Sequence, residues 1–287
     1  MTSSFGAAAT TYDAAALPQR LAAMRLVSEA WRLISATCGS DGSELPVGVI
    51  DLGCGTGVVA AAWLDQMEAQ HQRPPRQLLL VDQAPEMVER AMQRLQARQA
   101  LLQSVVKGVV VDAFADAVIE ALEPLVVDAP LVLLSNYALQ WSTAPLEVLK
   151  TVWARLLRPG DWLAVAVPDA RSFALLRAAL ATADLPSHLL VPPTSDQLIG
   201  AAPRSTLADC FEWVASGSFP NGVPVASALD YLRHFTRIGV RSARSRYSHR
   251  ELARLCRCLD TQLSAGASEL DYHSTWMVLR RLGQPPA

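Results

Sequence analysis

Apolar and polar positions along the middle of the chain follow two alternating periods. Short apolar runs at Val47–Leu52, Gln77–Asp82, Gly108–Asp112, Leu131–Ser135 and Trp162–Val167 read as strands, and stretches of helical spacing at 58–70, 85–101, 113–122 and 145–157 separate them. That rhythm predicts βαβ units with right-handed crossovers, and so a parallel sheet buried on both faces over 47–167. Ahead of it, Leu21, Met24, Leu26, Val27, Trp31 and Ile34 fall near helical spacing within 15–37, and the polar CGSDGSELP at 38–46 is expected to end that helix. After Pro168 the rhythm changes. A helix near 171–183 leads into a proline-rich stretch (184–205), a strand-like CFEWVASGSF (210–219), helices near 225–238 and 248–264, and a closing strand-like run from Leu270 to Leu279. The two late strands are expected to complete the sheet, with the helices between them forming a cap over its edge.

The sharpest local feature is VIDLGCGTGVVA at 49–60, an apolar strand ending in Asp51, glycines at 53, 55 and 57, and then a helix. Glycine allows a sharp turn and lets a ligand touch bare backbone. In an open parallel sheet, ligands sit at the carboxyl ends of the strands. A G-x-G-x-x-G dinucleotide fingerprint would need glycine at 58, where Val58 stands. A carboxylate at the mouth of the loop repels a pyrophosphate and suits a cationic ligand. The next strand ends in Asp82, placed to accept both hydroxyls of a ribose. The third ends in Asp112, followed by Ala113 and Phe114, where a carboxylate can accept from an adenine amino group. Asp112 taken alone reads equally well as a helix cap. Three strand-end acids with a glycine loop describe a site for a nucleoside without phosphates.

DLGCGTG followed by VD-x-x-x-x-M resembles the class I S-adenosylmethionine-dependent methyltransferases, from about residue 47 to the C-terminus. The resemblance implies an α/β fold, a Rossmann-like seven-stranded sheet with helices on both faces and a helical cap inserted late. It implies S-adenosylmethionine as cofactor. Asp51, Gly53, Cys54, Gly55 and Gly57 would lie near its methionine part, Asp82 on the ribose, and Met87, Asp112 and Ala113 by the adenine, with Gln83 and Asn136 in the same set. The implied division is an N-terminal helical lid over 1–46 and a methyltransferase domain over 47–287, with cap insertions about 171–205 and 221–266.

Four further stretches resemble the malonyl-acyl-carrier-protein O-methyltransferases of biotin synthesis. SFGAAATTYDAAALPQRLA (4–22) is similar to that family's lead-in of Phe, Tyr-Asp and Gln-Arg, and SNYALQW (135–141) to its Ser-Asn-x-x-Leu-Gln-Trp segment. YLRHFTRIGV (231–240) is similar to its late helix, and LLRPGDWLAV (156–165) to a turn that many methyltransferases share. Trans-aconitate-type carboxyl methyltransferases carry a close cousin of the second stretch ending in His-Trp. VPDARSF (167–173) departs from the family's Ser-Thr-Leu-Gly-like segment, and 184–205 aligns only loosely. The acceptor implied is the malonyl carboxylate on an acyl-carrier protein or on coenzyme A. A small free carboxylate, a quinone-type carbon and a non-catalytic cofactor-binding subunit are the competing readings.

A carboxylate is already ionised at pH 7 and needs alignment and dryness rather than a general base, and the five histidines (71, 188, 234, 249, 273) are scattered. Expected substrate-positioning residues are Tyr12 in the lid, Gln140 donating to a carboxylate or ester oxygen, and Arg233 or Arg237 holding the malonyl acid; Trp141 packs under the strand end. Residues 233–257 carry eight arginines (233, 237, 241, 244, 246, 250, 254, 257) against Glu251, with Arg250, Arg254 and Arg257 on one helical face. That face suits an acidic carrier, or is simply solvated.

Composition narrows the setting. The 287 residues are 51% hydrophobic and 18% charged, with a formal net charge of −2, which argues against a generic nucleic-acid binder. The longest apolar run, Val58 to Leu64, is far short of the roughly 20 residues that span a membrane. Cys38, Cys54, Cys210, Cys256 and Cys258 show no zinc or disulfide spacing, so no metal is expected and a reduced, cytoplasmic protein is. The Ala/Ser/Thr-rich start lacks a compact apolar core and carries Asp13, so it reads as part of the mature enzyme.

Overall fold

The computed structural model describes residues 12–99, 105–187, 207–238, 247–264 and 269–283. Within them the predicted alternation becomes a seven-stranded sheet. Strands β1 (Gly48–Leu52), β2 (Gln77–Asp82), β3 (Val105–Val110), β4 (Leu131–Asn136) and β5 (Trp162–Pro168) are parallel; β6 (Phe211–Pro220) and β9 (His273–Arg281) close it antiparallel, in the order β3-β2-β1-β4-β5-β9-β6. β1 is buried along its whole length, as a central strand covered on both faces must be.

On one face, α1 (Leu17–Asp41) and α2 (Val58–Ala69) bury Leu26, Ile34, Trp31 and Trp63 against Val49, Val132 and Ala164. Trp31 and Trp63 meet edge to face at 5.4 Å. α3 (Pro85–Gln99) extends this layer toward β3. The other face carries α4 (Ala117–Leu122) and α5 (Pro145–Glu147), whose helical path continues with π geometry over Val148–Val152 and a 3-10 turn over Trp153–Arg155. A third apolar cluster, rich in aromatics, joins α6 (Ala174–Thr182), α7 (Ala228–Arg237) and α8 (His249–Ser264) to Tyr137 and Tyr272. This is the cap.

Several expected boundaries move. α1 runs past 37 to Asp41, because Gly42 (φ +74) supplies the left-handed cap, its N–H bonding Cys38 O at 3.1 Å. β3 covers Val105–Val110 rather than 108–112: Gly108 lies inside the strand, where a Cβ would sit 2.4 Å from Val88 Cγ1, so the glycine admits α3 rather than starting the strand. The helix expected over 113–122 begins only at Ala117, after a turn that Asp112 caps. The 171–183 helix is Ala174–Thr182. The closing run splits: β8 (Glu269–Leu270) pairs with β7 (Val223–Pro224) in a separate ribbon before β9 begins. The expectations on 4–11, on most of 184–205 and on Arg241, Arg244 and Arg246 lie outside the described residues. Among the described residues, no helix is long and apolar enough to cross a membrane.

Candidate functional site

The chain leaves β1 at Leu52 and turns through Gly53, Gly55 and Gly57, whose φ angles are +69, +50 and +78. This region is open to glycine and costs other residues about 1–2 kcal/mol. A Cβ on Gly53 would lie 2.3 Å from Ala138 Cβ, and one on Gly57 3.0 Å from Ala91 Cα. Those two glycines let the loop press against the exit of β4 and against α3. Gly55 differs: a Cβ there would meet nothing within 4 Å, so bare backbone faces open space at the strand ends. The loop is pinned to β2 by the Gly53 and Cys54 N–H groups, which donate to Val81 O at 2.8 and 2.9 Å.

Two carboxylates serve this loop. Asp82, at the end of β2, accepts from Gly55 N at 3.0 Å and from Ala84 N at 2.9 Å. A carboxylate offers about four lone-pair sites, so acceptor capacity remains on its open side. Burial raises its pKa above the usual carboxylate range. Asp51 is fully buried beneath the loop. Its Oδ2 accepts from Ala60 N at 3.2 Å, while Oδ1 has no partner. Burial, with the Asp82 charge adding to it, lifts its pKa to about 7. The Cys54 thiol is buried and pushed well up, which makes it a packing residue rather than a nucleophile.

Around the rim, Tyr12 packs on Ala84 and Met87. Its hydroxyl is raised by burial and by the nearby charges of Asp82 and Asp13, and it makes no hydrogen bond among the described residues. Gln83 is half-buried beside Asp82. Asp112 is exposed and accepts from Phe114 N at 3.0 Å, the local cap that its position alone suggested. Ala113 is buried, and its carbonyl accepts from Trp153 Nε1 at 2.7 Å.

On the other side of the loop, Asn136 ends β4 and donates through Nδ2 to Gln19 O at 3.0 Å; its Oδ1 is buried without a partner. Tyr137 follows with φ +56, a strained value for a tyrosine at a strand end. Its hydroxyl is held by Ser274 Oγ at 2.7 Å and by Asn221 Nδ2 at 3.0 Å. Asn221 Nδ2 also donates to Pro18 O at 2.9 Å, and Gln140 Nε2 donates to Tyr137 O at 2.7 Å. Tyr272 and the cap's His234 share a 2.9 Å hydrogen bond between hydroxyl and Nε2; burial, with the Arg237 charge, brings the imidazole down to about 4. Arg233 and Arg237 are exposed on α7, and Arg233 stands 3.8 Å from Asp230.

Some polar groups in this neighbourhood had no sequence signal. Asp169 follows β5, is fully buried, and accepts from Arg171 and from Thr275 Oγ1 at 2.9 Å; His273 Nδ1 lies 3.0 Å from the same carboxylate. Surrounded by these donors, Asp169 is held below the usual carboxylate range despite its burial. The Asp169–His273 and Asn221–Tyr137 contacts join residues 104 and 84 positions apart, a separation no local pattern encodes.

Residues 50–163 match a family described as a methyltransferase domain. No curated protein sequence matches the chain. A Bacillus halodurans C-125 protein, provisionally described as a methyltransferase, is similar in structure: TM-score 0.51, 16% identity, covering 82% of this chain and 93% of that one. Loganic acid methyltransferase, solved with S-adenosylhomocysteine, is similar with TM-score 0.51 and 14% identity over 98% of this chain and 95% of that one. At such identities the likeness concerns the fold. The chain carries a methyltransferase domain over residues 50–163. The residues at the strand ends fit S-adenosylmethionine, the cofactor expected from the sequence. Open space stands over Gly55, Asp51 Oδ1 lacks a partner, and two carboxylates supply the negative field a sulfonium and an ammonium require.

Proposed function

We propose that this enzyme methylates a carboxylate, the free acid of a malonyl group carried by an acyl-carrier protein. One observation supports the reading above others. Two of the stretches that resemble the malonyl methyltransferases touch at the carboxyl end of β4, where Asn136 Nδ2 of 135–141 donates to Gln19 O, in the described part of 4–22, across 117 residues. Bound S-adenosylmethionine supplies an electrophilic methyl group on a sulfonium. The glycine loop and Asp51 hold its charged end, Asp82 the ribose hydroxyls, and Met87 with Tyr12 an apolar rim. The chain's task is then alignment and exclusion of water. The unpartnered Tyr12 hydroxyl is the donor to the acceptor carboxylate. Arg233 and Arg237 on α7, exposed like Arg250, Arg254 and Arg257 on α8, are read as holding the malonyl acid or docking its carrier. A reduced, cytoplasmic setting accompanies this reading.

A second reading has a specific observation behind it. His273 Nδ1 lies 3.0 Å from the buried Asp169 carboxylate, an imidazole–carboxylate pair of the kind that serves a hydroxyl acceptor instead. Purified enzyme with methyl-labelled cofactor is offered malonyl-carrier, malonyl-coenzyme A, trans-aconitate and a phenol. Label on malonyl-carrier, with single-turnover rates flat between about pH 6 and 8, supports the carboxylate reading. Label only on the phenol, with rates falling about tenfold toward pH 6, replaces it with the second.

A further inference from the structure

The segment carrying Tyr12 is tied to the glycine loop through residues that do not line the cradle. Arg94, on α3, donates from Nε to Thr56 O at 2.7 Å and from Nη2 to Asp13 Oδ2 at 2.6 Å. Thr56 Oγ1 donates to Asp13 Oδ1 at 2.6 Å. Thr56 is buried between Gly55 and Gly57. Three segments, 43 and 81 residues apart along the chain, therefore share one guanidinium and one carboxylate. The Asp13 and Arg94 side chains are 39% and 31% exposed, so the pair is partly shielded.

The consequences reach the cofactor. Asp13 follows Tyr12, and holding its carboxylate holds the Tyr12 ring over Met87 and Ala84, with the hydroxyl in the field of Asp82. The same segment is fastened a few residues on, where Pro18 O and Gln19 O accept from Asn221 and Asn136. Residues 12–19 thus form a strap with two fastenings. One lies on the glycine loop and one on the acceptor side.

We propose that Arg94 is a positioning residue that sets how long the cofactor stays bound, by latching Asp13 and Thr56 so that Tyr12 closes the cradle. The proposal rests on the cofactor reading above and is independent of the acceptor's identity. Truncating one member of a shielded, hydrogen-bonded charge pair acts mainly on dissociation.

The full chain, as parent, Arg94→Gln, Arg94→Lys, Asp13→Asn and the Arg94→Gln/Asp13→Asn double variant, is assayed by stopped-flow release of S-adenosylhomocysteine. The expected result is dissociation roughly tenfold faster for either single variant, with association changed less than about threefold. KM for the methyl donor should rise by a larger factor than kcat at saturation falls. Arg94→Lys, which keeps the charge but loses the fork, should fall between parent and Arg94→Gln. The double variant should be no worse than the worse single one, as expected of one shared interaction. Unchanged dissociation in folded Arg94→Gln overturns the latch, and so do additive losses in the double variant. Should Arg94→Gln fail to fold, Asp13→Asn carries the same expectation and the same power to overturn. A parent that binds no S-adenosylhomocysteine at all overturns the cofactor reading instead.

Discussion

The cofactor side and the cap of this molecule bury polar groups in opposite ways. Beneath the glycine loop, Asp51 has one hydrogen bond for a fully buried carboxyl, and Asn136 keeps an unpartnered oxygen nearby. In the cap, Tyr137, Ser274 and Asn221 close a triangle of hydrogen bonds, Tyr231 donates to Asp271 at 2.5 Å, and Tyr272 meets His234. A buried polar group without a partner costs about 1–3 kcal/mol. A protein tolerates that where a ligand completes the set. The tyrosine hydroxyls of the cap are satisfied within the protein, whereas Asp51 Oδ1 beneath the loop is not.

The sharpest way to break this contrast is to add a methyl group on each kind of glycine. Gly53→Ala forces a left-handed alanine into Ala138 and should cost roughly 2–5 kcal/mol, seen as a collapse of the melting transition. Gly55→Ala points into open space, so it should lose only about 1–2 kcal/mol of stability while abolishing cofactor binding by calorimetry. Equal stability losses would mean that the space over Gly55 is not a cradle.

Titration sharpens the contrast, because the two sides respond to pH with opposite sign. Asp51 has its pKa raised to about 7, so the folded state binds more protons than the unfolded between about pH 4 and 7, and stability falls as pH rises through that window. Asp51→Asn should remove this loss, by an order of a few kcal/mol, raising the ligand-free melting temperature at pH 8 and hardly changing it at pH 4. His234 is lowered to about 4, so the unfolded state binds the extra proton between about pH 4 and 6.5, and stability falls as pH drops through that range. His234→Gln should flatten this acid limb by an order of 2 kcal/mol, read by near-ultraviolet circular dichroism at pH 5 against pH 7.5. Shifts of the same sign in both variants would erase the distinction.

Smaller effects follow from single contacts to ligand or partner. Asp82→Ala should weaken S-adenosylhomocysteine by roughly 1–3 kcal/mol in calorimetry, since ribose hydroxyls would be left unpaired. Arg250, Arg254 and Arg257 are exposed, so replacing all three with Gln should shift stability by no more than about 0.5 kcal/mol. The same triple change should lower kcat/KM for a carrier-bound acceptor at low salt and flatten its salt dependence, leaving a carrier-free thioester unaffected.

The alternation of β-type and helix-type runs was enough to predict the parallel core, and the Asp-x-Gly-x-Gly-x-Gly loop was enough to predict a sharp turn with exposed backbone at the end of β1. Both are local signals: a strand buried on both faces must be apolar throughout, and a chain turning three times at positive φ requires glycine. Gly108 misled for a related reason, since a glycine inside a strand and one that starts a strand look alike until α3 is seen pressing on it. The arginines of 233–257 were legible as charged positions, and those among the described residues (Arg233, Arg237, Arg250, Arg254 and Arg257) are exposed.

What only the tertiary structure decided is everything made by long-range pairing. Asp13 is an unremarkable acid in a helical turn until Thr56 and Arg94 come to it. His273 is one of five scattered histidines until the antiparallel β9 sets it beside Asp169. Periodicity reports which side of an element faces the interior, because burial acts on every turn of a helix and every second residue of a strand. It carries no record of which distant side chain will be found there, since that depends on how the crossovers and the late antiparallel strands stack the elements.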